Sequence, residues 1–320
     1  MLAQQIAELG GPDALRLVEV PEPGTPGAVL IEVATAGVSF PDLLMTRGRY
    51  QTKPPLPFVP GVEVAGTVVA AAGSEFQPGE RVMAMTLVGG FAERAAASPT
   101  LTLRVPPGLA MEAAGGFIMN YHTAHFALAR RGRLRPGETL LVHGAAGGVG
   151  SAAVQVGRGL GARVLAVVSS DAKAEIARGA GAEHTVDAGG DWIAAVRDLS
   201  DGRGVDAVLD PVGGERFDQS VRCLAPEGRL IVVGFAAGRI PTLQVNRILF
   251  RNVDIVGAAW GAFLAVEPDL FAATQQALNG MIERGDVAPI VGAQFPLADA
   301  ADALRMLEER RAVGKIVLTV

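Results

Sequence analysis

The pattern of apolar and polar residues divides the chain into two parts. In the first hundred residues, segment 61–70 alternates with a period of two, as a half-buried strand does, and 28–34 is a second predicted strand. Connectors dense in proline and glycine, at 21–26 and 53–60, separate such strands. This part is therefore predicted to be β-rich, barrel-like and mostly antiparallel.

From Met111 onward the pattern changes. Residues 111–132 have a helical pattern, and predicted strands then alternate with predicted helices, an order typical of a parallel, doubly wound α/β sheet. The predicted elements that follow are strands 140–143, 163–168, 204–210, 228–234 and 252–257, helices 217–224 and 269–284, strand 291–295, helix 297–309 and strand 314–320. The last strand is expected to return to the first part of the chain.

A glycine-rich turn links strand 140–143 to a helix of small residues. Such a turn lets a pyrophosphate approach the backbone, where free N–H groups and the positive end of the helix dipole meet its charge. The predicted contacts are Ala146, Gly147, Gly148 and Val149. Ala145 replaces the usual first glycine, which is tolerable if φ stays negative there. The turn predicts a nicotinamide-dependent oxidoreductase.

The end of strand 163–168 bears on the choice of dinucleotide. A site for NAD usually carries an acid there to accept from the ribose 2′-hydroxyl, and this chain has Val168 followed by Ser169 and a second serine. Lys173, in the next turn, could meet a 2′-phosphate, although it could also be a solvated lysine. Asp171 is predicted as the N-cap of helix 172–178. The sequence therefore favours NADPH over NADH.

Composition narrows the class of protein. The chain has 320 residues, 49% of them hydrophobic, with a net charge of −5 and one cysteine, Cys223. The acidic balance argues against a nucleic-acid partner, and the single cysteine fits a reducing compartment. No apolar run is long enough to cross a membrane, and the N-terminus lacks the pattern of a signal peptide. A soluble, cytoplasmic protein is expected.

A set of ordered motifs resembles one known family over essentially the whole chain. The motifs lie at 37–42, 47–50, 60–66, 78–82, 120–124, 143–150, 210–214 and 314–318. The chain resembles the zinc-independent quinone oxidoreductases of the medium-chain dehydrogenase/reductase superfamily. The resemblance implies an α/β fold with two domains. A GroES-like β-barrel catalytic domain, 1–118, is completed by 261–320, and a Rossmann domain with a doubly wound parallel sheet, 119–260, binds NADP.

The same resemblance bears on metals. Zinc-dependent relatives carry a Cys and a His at the positions that Ser39 and Val62 occupy here, so no metal is expected. His122 and His125 could share a helix face, but without a clustered carboxylate or cysteine they are predicted to be structural.

The resemblance also implies roles for individual residues. Tyr50 is a candidate hydrogen-bond donor near the nicotinamide and the substrate, although it could instead be an aromatic residue at the edge of the barrel. Ser39 is a weaker candidate, because relatives often have Asn at this position. Thr123 would contact the nicotinamide amide. The remaining implied cofactor contacts are Ser169 and Lys173 at the adenosine phosphate, Gly234 and Phe235 beside the nicotinamide ribose, and Ala258 and Trp260 at the nicotinamide pocket. Several relatives hold the 2′-phosphate with a Tyr or His at the position of Ala188, so the preference of this chain for NADPH rests on fewer groups.

Three functions remain open at this point. The first is an NADPH-dependent quinone oxidoreductase, and the second is an enone or enoyl-thioester reductase, for which Arg47, Arg49 and Arg247 are candidate contacts to a CoA ester. The third is an NADPH-binding protein without turnover. Family members are commonly dimers through the last Rossmann strand, here 252–257, so a homodimer is expected.

Overall fold

The computed structural model describes residues 1–24 and 26–320. It divides into two compact units, Met1–Met119 with Pro289–Val320, and Asn120–Ala288. The strands, in chain order, are β1 (Leu2–Ile6), β2 (Leu15–Glu19), β3 (Val29–Val38), β4 (Glu63–Ala70), β5 (Arg81–Met85), β6 (Arg94–Ala97), β7 (Thr102–Arg104), β8 (Thr139–His143), β9 (Arg163–Val168), β10 (His184–Asp187), β11 (Val205–Asp210), β12 (Leu224–Val232), β13 (Asp254–Gly257), β14 (Val291–Pro296) and β15 (Lys315–Thr319).

The helices are mostly short. The α-helices are α1 (Phe40–Thr46), α2 (Met111–Ala114), α3 (Thr123–His125), α4 (Gly148–Gly159), α5 (Asp171–Gly179), α6 (Trp192–Leu199), α7 (Arg216–Cys223), α8 (Asn246–Arg251), α9 (Trp260–Phe263), α10 (Leu270–Glu283) and α11 (Ala300–Glu308). Single 3₁₀ turns cover Gly11–Ala14, Pro99–Leu101 and Leu297–Asp299. Among the described residues, none of these helices combines the length and apolar character needed to span a membrane.

The first unit is built on a seven-stranded sheet. Its strand order is β14-β15-β3-β4-β5-β7, with β6 also paired to β3, and all of these pairs except β14–β15 are antiparallel. The alternation predicted from the sequence is visible in β3, where Val29, Ile31 and Val33 point into the core while Glu32 is exposed. As expected, the last strand returns to this unit, with Ile316 opposite Val38.

The second unit contains a six-stranded parallel sheet in the order β10-β9-β8-β11-β12-β13. All residues of β8 and β11 are buried, as in a sheet covered by helices on both faces. The strand order reverses direction between β8 and β11, so ligands are expected at the carboxyl ends of these two strands. The two sheets together confirm the predicted α/β fold class.

Residues 261–288 are placed differently from the sequence expectation. The resemblance implies that 261–320 completes the first domain, whereas in the structure 261–288 belong to the second unit. The side chain of Gln275 contacts His122, with 2.9 Å between Oε1 and Nε2. Gln155 holds the peptide groups of Ala288 through two hydrogen bonds. These polar contacts join segments that are far apart in sequence, so no local sequence pattern predicts them.

Two local predictions also need correction. The expected continuous helix 111–132 is broken: α2 ends at Ala114, and the segments Ile118–His122 and Phe126–Arg131 are π-helical. The N-cap of α5 is Ser170 rather than Asp171, because the Ser170 hydroxyl accepts the N–H of Lys173. Ser and Asp are equally good caps, so the sequence could not separate adjacent candidates.

Candidate functional site

The glycine-rich turn lies between β8 and α4. Gly144 has φ of +59°, the left-handed region that favours glycine, whereas Ala145 does not have a positive φ. The alanine is therefore compatible with the turn. Gly147 is the N-cap, and α4 begins at Gly148. The first N–H groups of a helix have no partner within the helix, so this turn presents donors.

Two glycines of the turn differ in what surrounds them. A Cβ at Gly150 would lie 2.1 Å from the carbonyl oxygen of Gly144, so the turn closes only with glycine there. A Cβ at Gly147 would meet that same oxygen only at 3.4 Å, an ordinary contact. Gly147, Gly148 and Val149 are half-buried, whereas Ala146 is buried. A phosphate can therefore approach the backbone from 147 to 149.

At the end of β9 the structure brings Ser169 and Lys173 together. The Lys173 Nζ donates to the Ser169 hydroxyl over 3.4 Å, and Ser169 is exposed. The neighbouring Val168 is buried, and the Ala188 N–H donates to its carbonyl oxygen at 2.7 Å. Ala188 therefore lies beside the strand end but offers only a methyl group. The Ser169 hydroxyl and the Lys173 ammonium therefore lie at the position where an NAD site usually has an acidic side chain.

Two loops meet at the carboxyl ends of β11 and β12. One oxygen of Asp210 accepts the N–H groups of Val212 and Gly213, at 2.8 and 2.9 Å. A Cβ at Gly213 would lie 3.0 Å from the ring of Phe235, which follows Gly234 and is 37% exposed. Asp210 thus fixes the first loop, and the N–H groups of Ala236 and Ala237 in the second loop donate to the carbonyl oxygens of Pro211 and Val212.

The remaining predicted cofactor contacts of this unit have different surroundings. Thr123 is half-buried, whereas Ala258 and Trp260 are nearly fully buried. The indole of Trp260 packs edge-on against the His122 ring, with 5.2 Å between centroids, and stacks on Phe271. Trp260 is therefore a core aromatic as well as a candidate pocket residue.

The two histidines of this region are poor candidates for metal binding. Burial lowers the pKa of His122 to about 4, so its imidazole is neutral at physiological pH, and it contacts Gln275. Burial also lowers the pKa of His125. Over the described ranges, no three His, Cys, Asp or Glu side chains gather in a way that could hold a metal ion.

In the first unit, Ser39 belongs to a buried charged cluster that the sequence analysis did not identify. The Lys315 ammonium donates to the Ser39 hydroxyl and to Glu63 Oε1, both at 2.6 Å. Glu63 Oε2 accepts the Met119 N–H at 2.9 Å. Lys315 and Glu63 expose only 6% and 1% of their side chains. The available signal is one charged residue at the start of each of two otherwise apolar strands.

Two glycines make room for this cluster. A Cβ at Gly37 would lie 2.6 Å from Glu63 Oε1, and one at Gly116 would lie 2.3 Å from Cγ of Lys315. Any side chain at either position would displace the ion pair. The cluster is therefore enclosed by backbone as well as by its own hydrogen bonds.

A buried carboxyl group lies near the same cluster. Asp42 accepts the N–H groups of Ser39 and Gly61, at 2.8 and 3.0 Å, and its burial raises its pKa to about 7. Partial burial, and then the charge of Asp42, raise the pKa of Tyr50 above its usual value. The Tyr50 phenol is therefore protonated at neutral pH and can donate a hydrogen bond.

The arginines considered for a CoA ester are partly engaged elsewhere. Arg47 pairs with Glu308 at 2.6 Å, and Arg247 pairs with Asp218. Arg49 is exposed. The negatively charged CoA moiety of a thioester would have to compete with the carboxylates that already pair with two of these three arginines.

Comparison with known proteins places this geometry in a family. Residues 25–128 match the alcohol dehydrogenase GroES-like domain, and residues 148–279 match the zinc-binding dehydrogenase family. The quinone oxidoreductase of Pseudomonas aeruginosa is 35% identical over 321 residues, which cover 98% of each chain. The quinone oxidoreductase-like protein 2 of Mus musculus is 34% identical over 304 residues, which cover 94% of this chain and 87% of that protein.

The comparison with solved structures indicates the same family. A mycobacterial protein in complex with NADPH superimposes with a TM-score of 0.93 and 36% identity, covering 100% of both chains. The fold, the glycine-rich turn and these similarities over nearly the full length lead to one assignment. The chain belongs to the quinone oxidoreductase group of the medium-chain dehydrogenase/reductase superfamily.

Proposed function

We propose that this protein is an NADPH-dependent quinone oxidoreductase that works without zinc. The observation that carries the proposal is the pairing of Ser169 with Lys173 at the end of β9, next to the glycine-rich turn. A hydroxyl and a cation at this place suit a 2′-phosphate, which an acid would repel. The relatives named quinone oxidoreductases support the choice of acceptor.

The residues of the second unit fit NADPH. Gly147, Gly148 and Val149 would hold the pyrophosphate, and Ser169 with Lys173 would hold the 2′-phosphate. The proposed contacts on the nicotinamide side are Thr123, Gly234, Phe235, Ala258 and Trp260. When bound, NADPH supplies a hydride, which together with a proton reduces the quinone while the nicotinamide is oxidised to NADP⁺.

At the substrate, Tyr50 and Ser39 are the proposed hydrogen-bond donors. The Tyr50 phenol is protonated at neutral pH, so it can donate to a quinone oxygen as negative charge develops there. The Ser39 oxygen accepts from the Lys315 ammonium at 2.6 Å, and its hydroxyl donates to Glu63 Oε1 over 3.3 Å, so donation to a quinone requires the hydroxyl to turn away from Glu63.

The donor set around Ser39 does not suit zinc. Val62 has no ligand atom, and the Lys315 ammonium 2.6 Å from the Ser39 oxygen would repel a second cation. Catalysis is then mainly orientation of two reactants, and a substrate that accepts hydride readily is required.

The test is oxidation of NADPH with 1,4-benzoquinone, 9,10-phenanthrenequinone or crotonyl-CoA as acceptor. The proposal expects rapid turnover with the quinones and little with the thioester. Turnover with crotonyl-CoA alone would replace it by an enoyl-thioester reductase. Tight binding of NADPH without turnover on any acceptor would indicate a non-catalytic binding protein.

We also propose a homodimer formed through β13, in a cytoplasmic protein. β13 is an edge strand, and in the segment just before it in the chain the exposed fractions of Val245, Leu249 and Phe250 are 77%, 68% and 78%. Apolar side chains beside an unpaired strand edge favour association. Light scattering at micromolar concentration should give twice the chain mass, and Phe250→Asp should halve it. A monomeric wild type would contradict the proposal.

A further inference from the structure

Asn120 has a buried side chain without a hydrogen-bond partner among the described residues. It is only 6% exposed, and it lies in the π-helical segment Ile118–His122. Buried carboxamides in folded proteins almost always find partners, because an unmet donor or acceptor destabilises the folded state. The Asn120 Nδ2 and Oδ1 atoms are not fully enclosed, so a ligand that enters here can supply the partner that the protein does not.

The position of this amide points to the ligand. A Cβ built on Gly148 would lie 2.7 Å from Asn120 Nδ2 and 3.0 Å from Oδ1. The carboxamide thus occupies the space over the first residue of α4, a helix of 12 residues whose N-cap is Gly147. Two independent features, the helix N-terminus and the unpaired amide, converge on one place. An amide NH₂ offers two donors, and both the helix end and these donors favour an anion.

We propose that Asn120 binds the cofactor by donating a hydrogen bond from Nδ2 to the pyrophosphate. This inference rests on the proposed use of NADPH. It also explains why position 148 is glycine, since any side chain there would push the carboxamide away from the helix end. Asn120 is thus the side-chain counterpart of the backbone donors at 147–149.

The test compares two ligands on purified variants. NADPH contains the pyrophosphate, whereas adenosine 2′-monophosphate contains only the group assigned to Ser169 and Lys173. Asn120→Ala should weaken NADPH binding about tenfold, and Asn120→Asp about a hundredfold, because the aspartate loses the donor and adds a negative charge. Both variants should bind adenosine 2′-monophosphate as the wild type does. Dissociation constants come from fluorescence titration.

Stability without ligand separates binding from packing. Asn120→Ala removes no protein hydrogen bond, so its Tm without ligand should equal or exceed that of the wild type. Gln155→Leu is the matched control, because Gln155 accepts from the Tyr121 hydroxyl and the Ala288 N–H. It should lower the Tm while keeping the affinity for NADPH. Gly148→Ala should reproduce the binding defect of Asn120→Ala.

Two results would overturn the inference. NADPH affinity within twofold of the wild type in Asn120→Asp would show that the amide does not contact the pyrophosphate. Equal weakening of both ligands would show that Asn120 acts only through packing. A wild type that binds NADPH but reduces no quinone would instead overturn the proposed function, and the Asn120 comparison would still decide this inference.

Discussion

The two units of the molecule build their candidate sites in opposite ways. In the second unit, the site is mostly backbone: a strand end, a glycine-rich turn and the first turn of α4, contributed by consecutive residues. In the first unit, the site is made of side chains from distant segments, since Lys315 and Glu63 are 252 residues apart in sequence. A backbone site is encoded locally, and a side-chain site depends on the complete fold.

This difference predicts different consequences of mutation. The cluster of the first unit holds a charged pair with little access to water, so its loss should cost stability. The turn of the second unit is half-buried at 147–149 and is shaped by glycines, so its disturbance should cost cofactor affinity. The following experiments test that division.

Lys315→Met should have the largest effect. It leaves Glu63 charged and buried without its partner, which typically destabilises a fold by about 3–5 kcal/mol. Urea unfolding should show this loss in free energy. The double variant Lys315→Met with Glu63→Gln should recover much of it, because no unpaired charge remains. Equal stability of the single variant and the wild type would show that the pair does not support the fold.

Gly150→Ala should mainly affect the second unit. The new Cβ would lie 2.1 Å from the Gly144 oxygen, so the turn must shift. Overpacking of this kind costs about 1–3 kcal/mol, and we expect NADPH affinity to fall about tenfold or more. Gly179→Ala, where a Cβ meets nothing within 4 Å, is the matched control. Unchanged affinity in Gly150→Ala would mean that the turn does not form the binding site.

Lys173→Ala should separate the two dinucleotides. It removes the cation beside Ser169, so the Kd for NADPH should rise about tenfold while that for NADH stays constant. Parallel fluorescence titrations measure both constants. An equal change for the two ligands would assign Lys173 to the fold instead of the 2′-phosphate.

The pH dependence of stability should report Asp42. Burial raises its pKa from 3.8 to about 7, so between these values the folded state binds more protons than the unfolded state. The contribution of Asp42 to stability should therefore fall as pH rises from about 4 to 7 and stay constant above. Asp42→Asn should remove this slope in urea unfolding at several pH values. Identical slopes in both proteins would show that Asp42 ionises normally.

The same contrast explains what the sequence could predict. The unit of β8, turn, α4 and β9 follows from local rules of periodicity and glycine, and its two strands, predicted at 140–143 and 163–168, are Thr139–His143 and Arg163–Val168 in the structure. Ser169 and Lys173 are four residues apart, so their proximity was predictable as well. The Glu63–Lys315 pair, the Asn120 amide over Gly148 and the placement of 261–288 depend on tertiary contacts. The π-helical segments have no distinct periodic signal either.

The central claim is that the end of β9 selects NADPH. The most direct measurement is the dissociation constants of NADPH and NADH for the wild-type protein, determined by fluorescence titration in one buffer. We predict that NADPH binds at least about tenfold more tightly, because Ser169 and Lys173 meet its 2′-phosphate. Equal affinities, or tighter binding of NADH, would contradict the account.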